Sequence, residues 1–188
     1  QRIGKNAAEN NLLYAAARDL ATRNRKGELV GSNLPGTHQF SILAPDNPED
    51  FTPELLSEIG APQMQDLGDG TMGWVVGAHN RTDANGNFNL LLAEFNEGSD
   101  FIATQEFMNP DKYKVWHKRD FDTEAHIVNH PGLTDTQLIT NVLQNTVNYQ
   151  NNMVSIPYPK PISTISDDNI INSNTWNQSV LKHSGATG

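Results

Sequence analysis

Cysteine is absent from the 188 residues. That excludes disulfides, thiolate metal sites and cysteine nucleophiles together, and it suits a chain working in either redox environment. Long apolar runs are also missing; no stretch approaches the roughly 20 residues needed to cross a bilayer as a helix. The first residues, Gln1-Arg2-Ile3-Gly4-Lys5, carry no apolar signal core. Positive charge is scarce: 13 Lys and Arg face 22 Asp and Glu, giving a net charge of -9 and a pI near 5.0. A surface that neutralises phosphates is not expected from that balance, so nucleic acid is a poor candidate partner.

The composition that remains is polar but foldable, with 36% apolar residues and a mean hydropathy of -0.56. Chain length allows one proper hydrophobic core, and no repeat or composition shift marks a second domain over 1–188. Leu12, Leu13, Ala16, Ala17, Leu20 and Ala21 recur at helical spacing, which predicts a helix over Asn6–Asn24. Thr37–Leu43 alternates as a strand, with His38 on the face shared by Phe40 and Ile42. Thr52–Gly60 reads as a short helix with Pro in its first turn and Gly at its stop. Met72–His79 and Asn87–Phe95 read as strands joined at Asn85-Gly86, a strong hairpin signal. Phe101–Phe107 reads as a fourth strand. Lys112, Lys114, Lys118 and Arg119 make the segment after it the most basic part, read as a solvated edge. Thr134 and Gln137 match a capping box opening a helix from about Asp135 to Tyr149. Tyr158-Pro159-Lys160-Pro161 is a connector, and Ser184–Gly188 a frayed tail. The expected fold class is α+β: an antiparallel meander packed against helices.

Near the C-terminus, Asn172-Ser173-Asn174-Thr175-Trp176 opens a final helix. Ser and Asn there serve as ordinary caps. The same place also suits a nucleophile, because the positive helix end stabilises developing negative charge. A serine nucleophile needs a base, and the base an orienting partner. His38 starts one strand and His79 ends the next, so an antiparallel pairing brings them together. Glu94 competes with His79 as the orienting group. His126 and His130 are four apart, but Pro131 follows and no metalloprotease motif surrounds them, so no metal site is expected. Asp83, Asn85, Asn87 and Glu94 only superficially resemble a calcium loop, since Phe88 stands where glycine is needed. No cofactor motif is present.

A Gly-Thr-His strand, a meander, a long helix and then Asn172-Ser173-Asn174-Thr175-Trp176 resemble the circularly permuted branch of the NlpC-type papain-like superfamily, which includes lecithin:retinol acyltransferase-like enzymes. In that branch the His strand comes first and the nucleophile motif, commonly Asn-Cys-Asn-x-Phe, opens a late helix. The resemblance implies Ser173 at the nucleophile position, His38 as general base and His79 as the polar third residue. The motif match covers about a tenth of the chain, and the order of elements most of it. Ser in place of Cys is the main departure, open to three explanations: a natural serine variant, an inactive relative, or a substituted cysteine.

Two functional classes follow. The first is a hydrolase or acyltransferase in which a Ser173/His38 pair acts on an ester or amide acyl group of a lipid or cell-wall peptide. The resemblance extends to C-terminal toxin domains of secreted bacterial effectors, implying a domain cut from a longer protein, with a cognate immunity protein as partner. Otherwise a cytoplasmic location is expected. The second is a catalytically inactive lipid- or glycan-binding module on the same scaffold.

Overall fold

The computed structural model describes residues 13–82, 84–87, 90–152 and 172–187. Strands β1 (Leu13–Asp19), β4 (Thr37–Leu43), β5 (Gln65–Asp66), β6 (Met72–Arg81), β7 (Leu90–Phe95) and β8 (Glu124–Ile127) form one antiparallel sheet. Its order is β5-β6-β4-β1-β8, with β7 also on β6. A small ribbon pairs β2 (Ala21–Arg23) with β3 (Leu29–Gly31). The helices are α1 (Pro53–Ile59), α2 (Gly98–Met108), α3 (Pro110–Tyr113), α4 (Asp135–Asn151) and α5 (Ser173–His183). The α+β class and the antiparallel meander are therefore present, and no described helix is long and apolar enough to cross a membrane.

Strand alternation sends side chains to two apolar layers. On one face Leu13, Leu43, Trp74, Val76 and Ala78 pack with Leu138, Val142 and Leu143 of α4 and Trp176 and Leu181 of α5. On the other, Tyr14, Ala16, Phe40, Ile42 and Val75 meet Ala103 of α2 and Phe121. The α4 capping box forms as expected, with Thr134 accepting from the Gln137 amide and Gln137 from the Thr134 amide.

Three expectations fail. The helix over Asn6–Asn24 is strand in its described part, β1 followed by β2. Helix preference for Ala is worth less than about 1 kcal/mol per residue. It loses here to a strand hydrogen-bonded on both edges, by β4 and β8. The small Ala side chains let a strand covered on both faces fit. Phe101–Phe107 lies in helix α2, whose start is capped by Glu97 accepting from the Ser99 and Asp100 amides. Its Phe101, Ile102, Ala103, Phe107 and Met108 pack in the second apolar layer. Finally, the tail is not frayed over its described residues. Ser184 is buried and takes side-chain hydrogen bonds from Asn141 and Asn145, and Thr187 bridges to Asn129. The connector at 158–161 lies outside the described residues.

Candidate active site

The site lies where β4 and β6 part. Their pairing covers Ser41↔Val76, Ile42↔Val75 and Leu43↔Trp74, then stops, although β4 extends back to Thr37 and β6 on to Arg81. The start of α5 fills the resulting gap. Asn174 Oδ1 accepts from the Gln39 amide at 2.8 Å, and its Nδ2 donates to the Thr37 carbonyl at 3.3 Å. One side chain thus replaces the missing strand partner on both sides of His38. Further along the helix, Ser41 Oγ donates to Asn177 Oδ1 at 2.7 Å, and Gln178 Nε2 to Gln39 Oε1 at 3.0 Å.

Asn172 is the N-cap of α5, accepting from the amides of Asn174 and Thr175 in a capping box with Thr175. Ser173 is the first helical residue rather than the cap, and it is buried. The cap takes the two amides beyond it, and no acceptor among the described residues takes the Ser173 amide. Its hydroxyl makes a long 3.3 Å contact to Asn174 Oδ1.

On the sheet face opposite α5, four buried polar residues converge. His38 and His79 stack with ring centroids 4.6 Å apart, as their register positions anticipate. Both direct Nε2 at Asp100, which is fully buried in the first turn of α2: His79 at 2.8 Å, and His38 at 3.2 and 3.3 Å from the two oxygens. Arg18, the β1 partner of His38, donates Nε to Asp100 Oδ1 at 2.7 Å. A second carboxylate layer lies behind. His79 Nδ1 is 2.8 Å from Glu94 Oε2, close but off the hydrogen-bond line, so we read it as a charge contact. Arg81 bonds Glu94 at 3.1 Å and Glu97 at 2.9 Å. The cations Arg18, Arg81 and protonated His79 balance Asp100, Glu94 and Glu97. Gly77 makes room for this cluster, since a Cβ there would lie 2.6 Å from Asp100 Oδ2 and 3.1 Å from His79 Cε1.

The electrostatics separate the two histidines. Burial pushes the His38 pKa down, against the pull of Asp100 and with the help of Arg18 and His79, so it is neutral at neutral pH. Burial opposes charge on His79 too, but hydrogen bonding to Asp100, contact with Glu94 and the fields of Asp100 and Glu97 raise it to about 9. Burial alone would raise Asp100, yet the two imidazoles hold it well below the usual carboxylate range. Glu94 is lowered as well, burial being outweighed by His79 and Arg81.

His38 and His79 are therefore brought together, but the residue they share is Asp100. The hydrogen-bond partner of His38 is Asp100, and His79 stacks on its ring. Ser173 lies one residue from the clasp that brackets His38, yet its hydroxyl is bonded to Asn174 and the imidazole to Asp100. The two side chains do not bond each other in this arrangement. Asp100 and Arg18 were invisible as site residues because one fell in the connection before an expected strand and the other in an expected helix. Glu97 caps α2 by accepting from the Ser99 and Asp100 amides, but glutamate is not a favoured cap residue, so the sequence carried little signal for a helix start beside Asp100.

Donor atoms of His38, His79 and Asp100 also fall within 4.8 Å of one another, near enough to share one ion. An ion there would require His79 to release the proton that Asp100 and Glu94 stabilise, and would add charge beside Arg18. The donor set fits a proton-holding cluster better. Of the two histidines four apart in sequence, His126 is on edge strand β8, and His130 pairs with Asp135 at 2.8 Å. No family model, curated protein or solved structure matches the chain.

Proposed function

We propose that this chain is an acyl hydrolase or acyltransferase in which Ser173 is the nucleophile, His38 the base and Asp100 the orienting carboxylate. The observation that carries the reading is the Asn174 clasp: it joins the helix start bearing Ser173 to the backbone on both sides of His38. Asp100 occupies His38 Nε2, which leaves Nδ1 as the nitrogen able to take a proton. Ser173 Oγ attacks the acyl carbon, and its proton must reach His38 through the gap where β4 and β6 part, because the imidazole lies on the sheet face away from α5. The tetrahedral oxyanion collapses, the bond to the leaving group breaks, and His38 returns the proton to that group. Water or an acceptor hydroxyl then attacks the acyl-serine by the same route. The Ser173 amide and the positive end of α5 favour the oxyanion. Bonds between nucleophile and base are often long before substrate binds. The Asp100–His38–Ser173 order suits an ester or amide acyl group. Action as a bacterial secreted effector countered by an immunity protein is part of the proposal and rests on the family resemblance alone.

The second reading, an inactive lipid- or glycan-binding module, is favoured by one observation: the His38 and Ser173 side chains each bond elsewhere. Reaction with a fluorophosphonate or a short-chain nitrophenyl ester decides between them. The enzyme reading expects one adduct, at Ser173, lost in Ser173→Ala and His38→Ala. Full turnover in either variant would sink the mechanism.

A further inference from the structure

Among the described residues, Leu34, Met72, Val115, Trp116 and Ile127 are the large apolar side chains left exposed. Leu34, Val115 and Trp116 sit on two adjoining loops, and Trp116 is 96% exposed. A hydrogen bond from the Lys118 amide to the Val115 carbonyl, 2.9 Å, closes a turn that puts Trp116 and His117 at its tip. The base of this loop is seated firmly. Gly31 donates its amide to Arg119 O, and a Cβ on Gly31 would come within 2.2 Å of Asp120 O. Leu34 follows Gly31 in the chain on the neighbouring loop, 67% exposed. An apolar tip on a rigid base is unusual in a chain this polar.

The charge around the tip is also out of keeping with the rest. Residues 111–120 hold Lys112, Lys114, Lys118 and Arg119 against Asp111 and Asp120, or 4 − 2 = +2, with Lys114 paired to Asp120 and Arg119 to Asp19, so the remaining chain carries -9 − 2 = -11. We propose that the 115–118 turn is an interfacial anchor that seats this chain on an anionic bilayer. Trp prefers the boundary between headgroups and acyl chains, and Lys and Arg lay apolar stems along that boundary while their heads meet lipid phosphates. Tip-first contact keeps the acidic bulk away from the membrane. A nucleic acid would face a chain of net charge -9, and the aliphatic Val115 offers no stacking platform to its bases.

The base of the anchor is tied to the start of the strand that carries His38. Arg119 pairs with Asp19 at 3.1 Å, and the Asp19 amide donates to Phe121 O at 2.9 Å. Asp19 is the β1 partner of Thr37, the residue before His38. Choosing a lipid as the acyl donor rests on the reading given under Proposed function; the docking itself does not.

The test mixes the full chain with vesicles of phosphatidylcholine alone or blended with phosphatidylglycerol, following tryptophan emission and co-flotation. Trp74 and Trp176 are already buried, so a blue shift reports Trp116. Wild type binds the anionic vesicles, less so at high salt, and Trp116→Ser and Lys118→Glu each weaken binding about tenfold. Ser173→Ala binds as wild type does, which separates failure of the anchor from failure of the chemistry. The inference is overturned if anionic vesicles do not bind, or if Trp116→Ser binds them unchanged. It is also overturned if a single-stranded oligonucleotide perturbs Trp116 at lower concentration than the vesicles do.

Discussion

Asp100→Asn is the sharpest perturbation of the buried cluster, because it removes one charge while keeping the shape of the side chain. His79 is raised from 6.5 to about 9, and at 1.36 kcal/mol per pKa unit the folded state favours its protonated form by about 3 kcal/mol. Asp100 contributes to that both as hydrogen-bond acceptor and as charge. Its loss also leaves the Arg18 guanidinium facing a neutral amide. Breaking a buried pair from one side costs about 3–5 kcal/mol, and we expect that loss here. The sign with pH is specific. A raised histidine pKa stabilises fully below 6.5 and loses its effect as pH rises through about 9. The depressed carboxyl of Asp100 stabilises above 3.8 and loses its effect as pH falls. His38, lowered by burial, works the other way and subtracts stability as pH falls below 6.5. The gap between wild type and Asp100→Asn should therefore narrow once pH exceeds about 9. Urea denaturation across pH, with the His79 ring followed by NMR, measures both quantities. An Asp100→Asn protein with an unchanged midpoint and His79 still titrating near 9 would refute the reasoning.

Other outcomes follow from the same geometry. Gly77→Ala drives a methyl to 2.6 Å from Asp100 Oδ2. It should cost about 1–3 kcal/mol in denaturation and lower ester turnover on the order of 100-fold. Gly98→Ala, whose Cβ would meet only Leu29 at 3.6 Å, is the comparison that should stay near wild type. Asn174→Ala leaves the Gln39 amide and Thr37 carbonyl without partners, and calorimetry should show a loss of about 1–3 kcal/mol. A pH profile of kcat/KM should rise as His38 loses its proton below neutrality and fall near 9 as His79 loses its own. A flat alkaline limb would exclude protonated His79 from the working site.

The elements legible in the sequence are those whose signals are local. β4 spans the expected Thr37–Leu43, and α4 begins at its capping box. The Asn-Gly hairpin joins β6 to β7, with Gly86 at φ 84° where a side chain would be strained. In α4 and the hairpin, a cap or turn residue acts within a few positions of itself, and β4 shows its own period-2 alternation. The elements misread, β1 and α2, carry local preferences that a distant partner outweighs. β1 is an Ala-rich stretch made a strand by β4 and β8, and α2 is an aromatic-rich stretch made a helix by its Glu97 cap and the layer it covers.

The candidate site divides along the same line. By itself the sequence determined that Asn172-Ser173-Asn174 opens a helix, because a cap is a short-range hydrogen-bond pattern. It also determined that His38 and His79 meet, because antiparallel strands bring a start opposite an end. Only the tertiary structure decided which carboxylate the histidines share. Asp100 reaches them from 62 and 21 residues away, and Arg18 joins from 82. Such a cluster depends on one buried volume that must be electrically neutral, a condition on space rather than on sequence distance. The same holds for Asn174. It reads as a cap residue in the sequence, and it clasps the His38 strand because β4 and β6 part and leave backbone groups that need a partner.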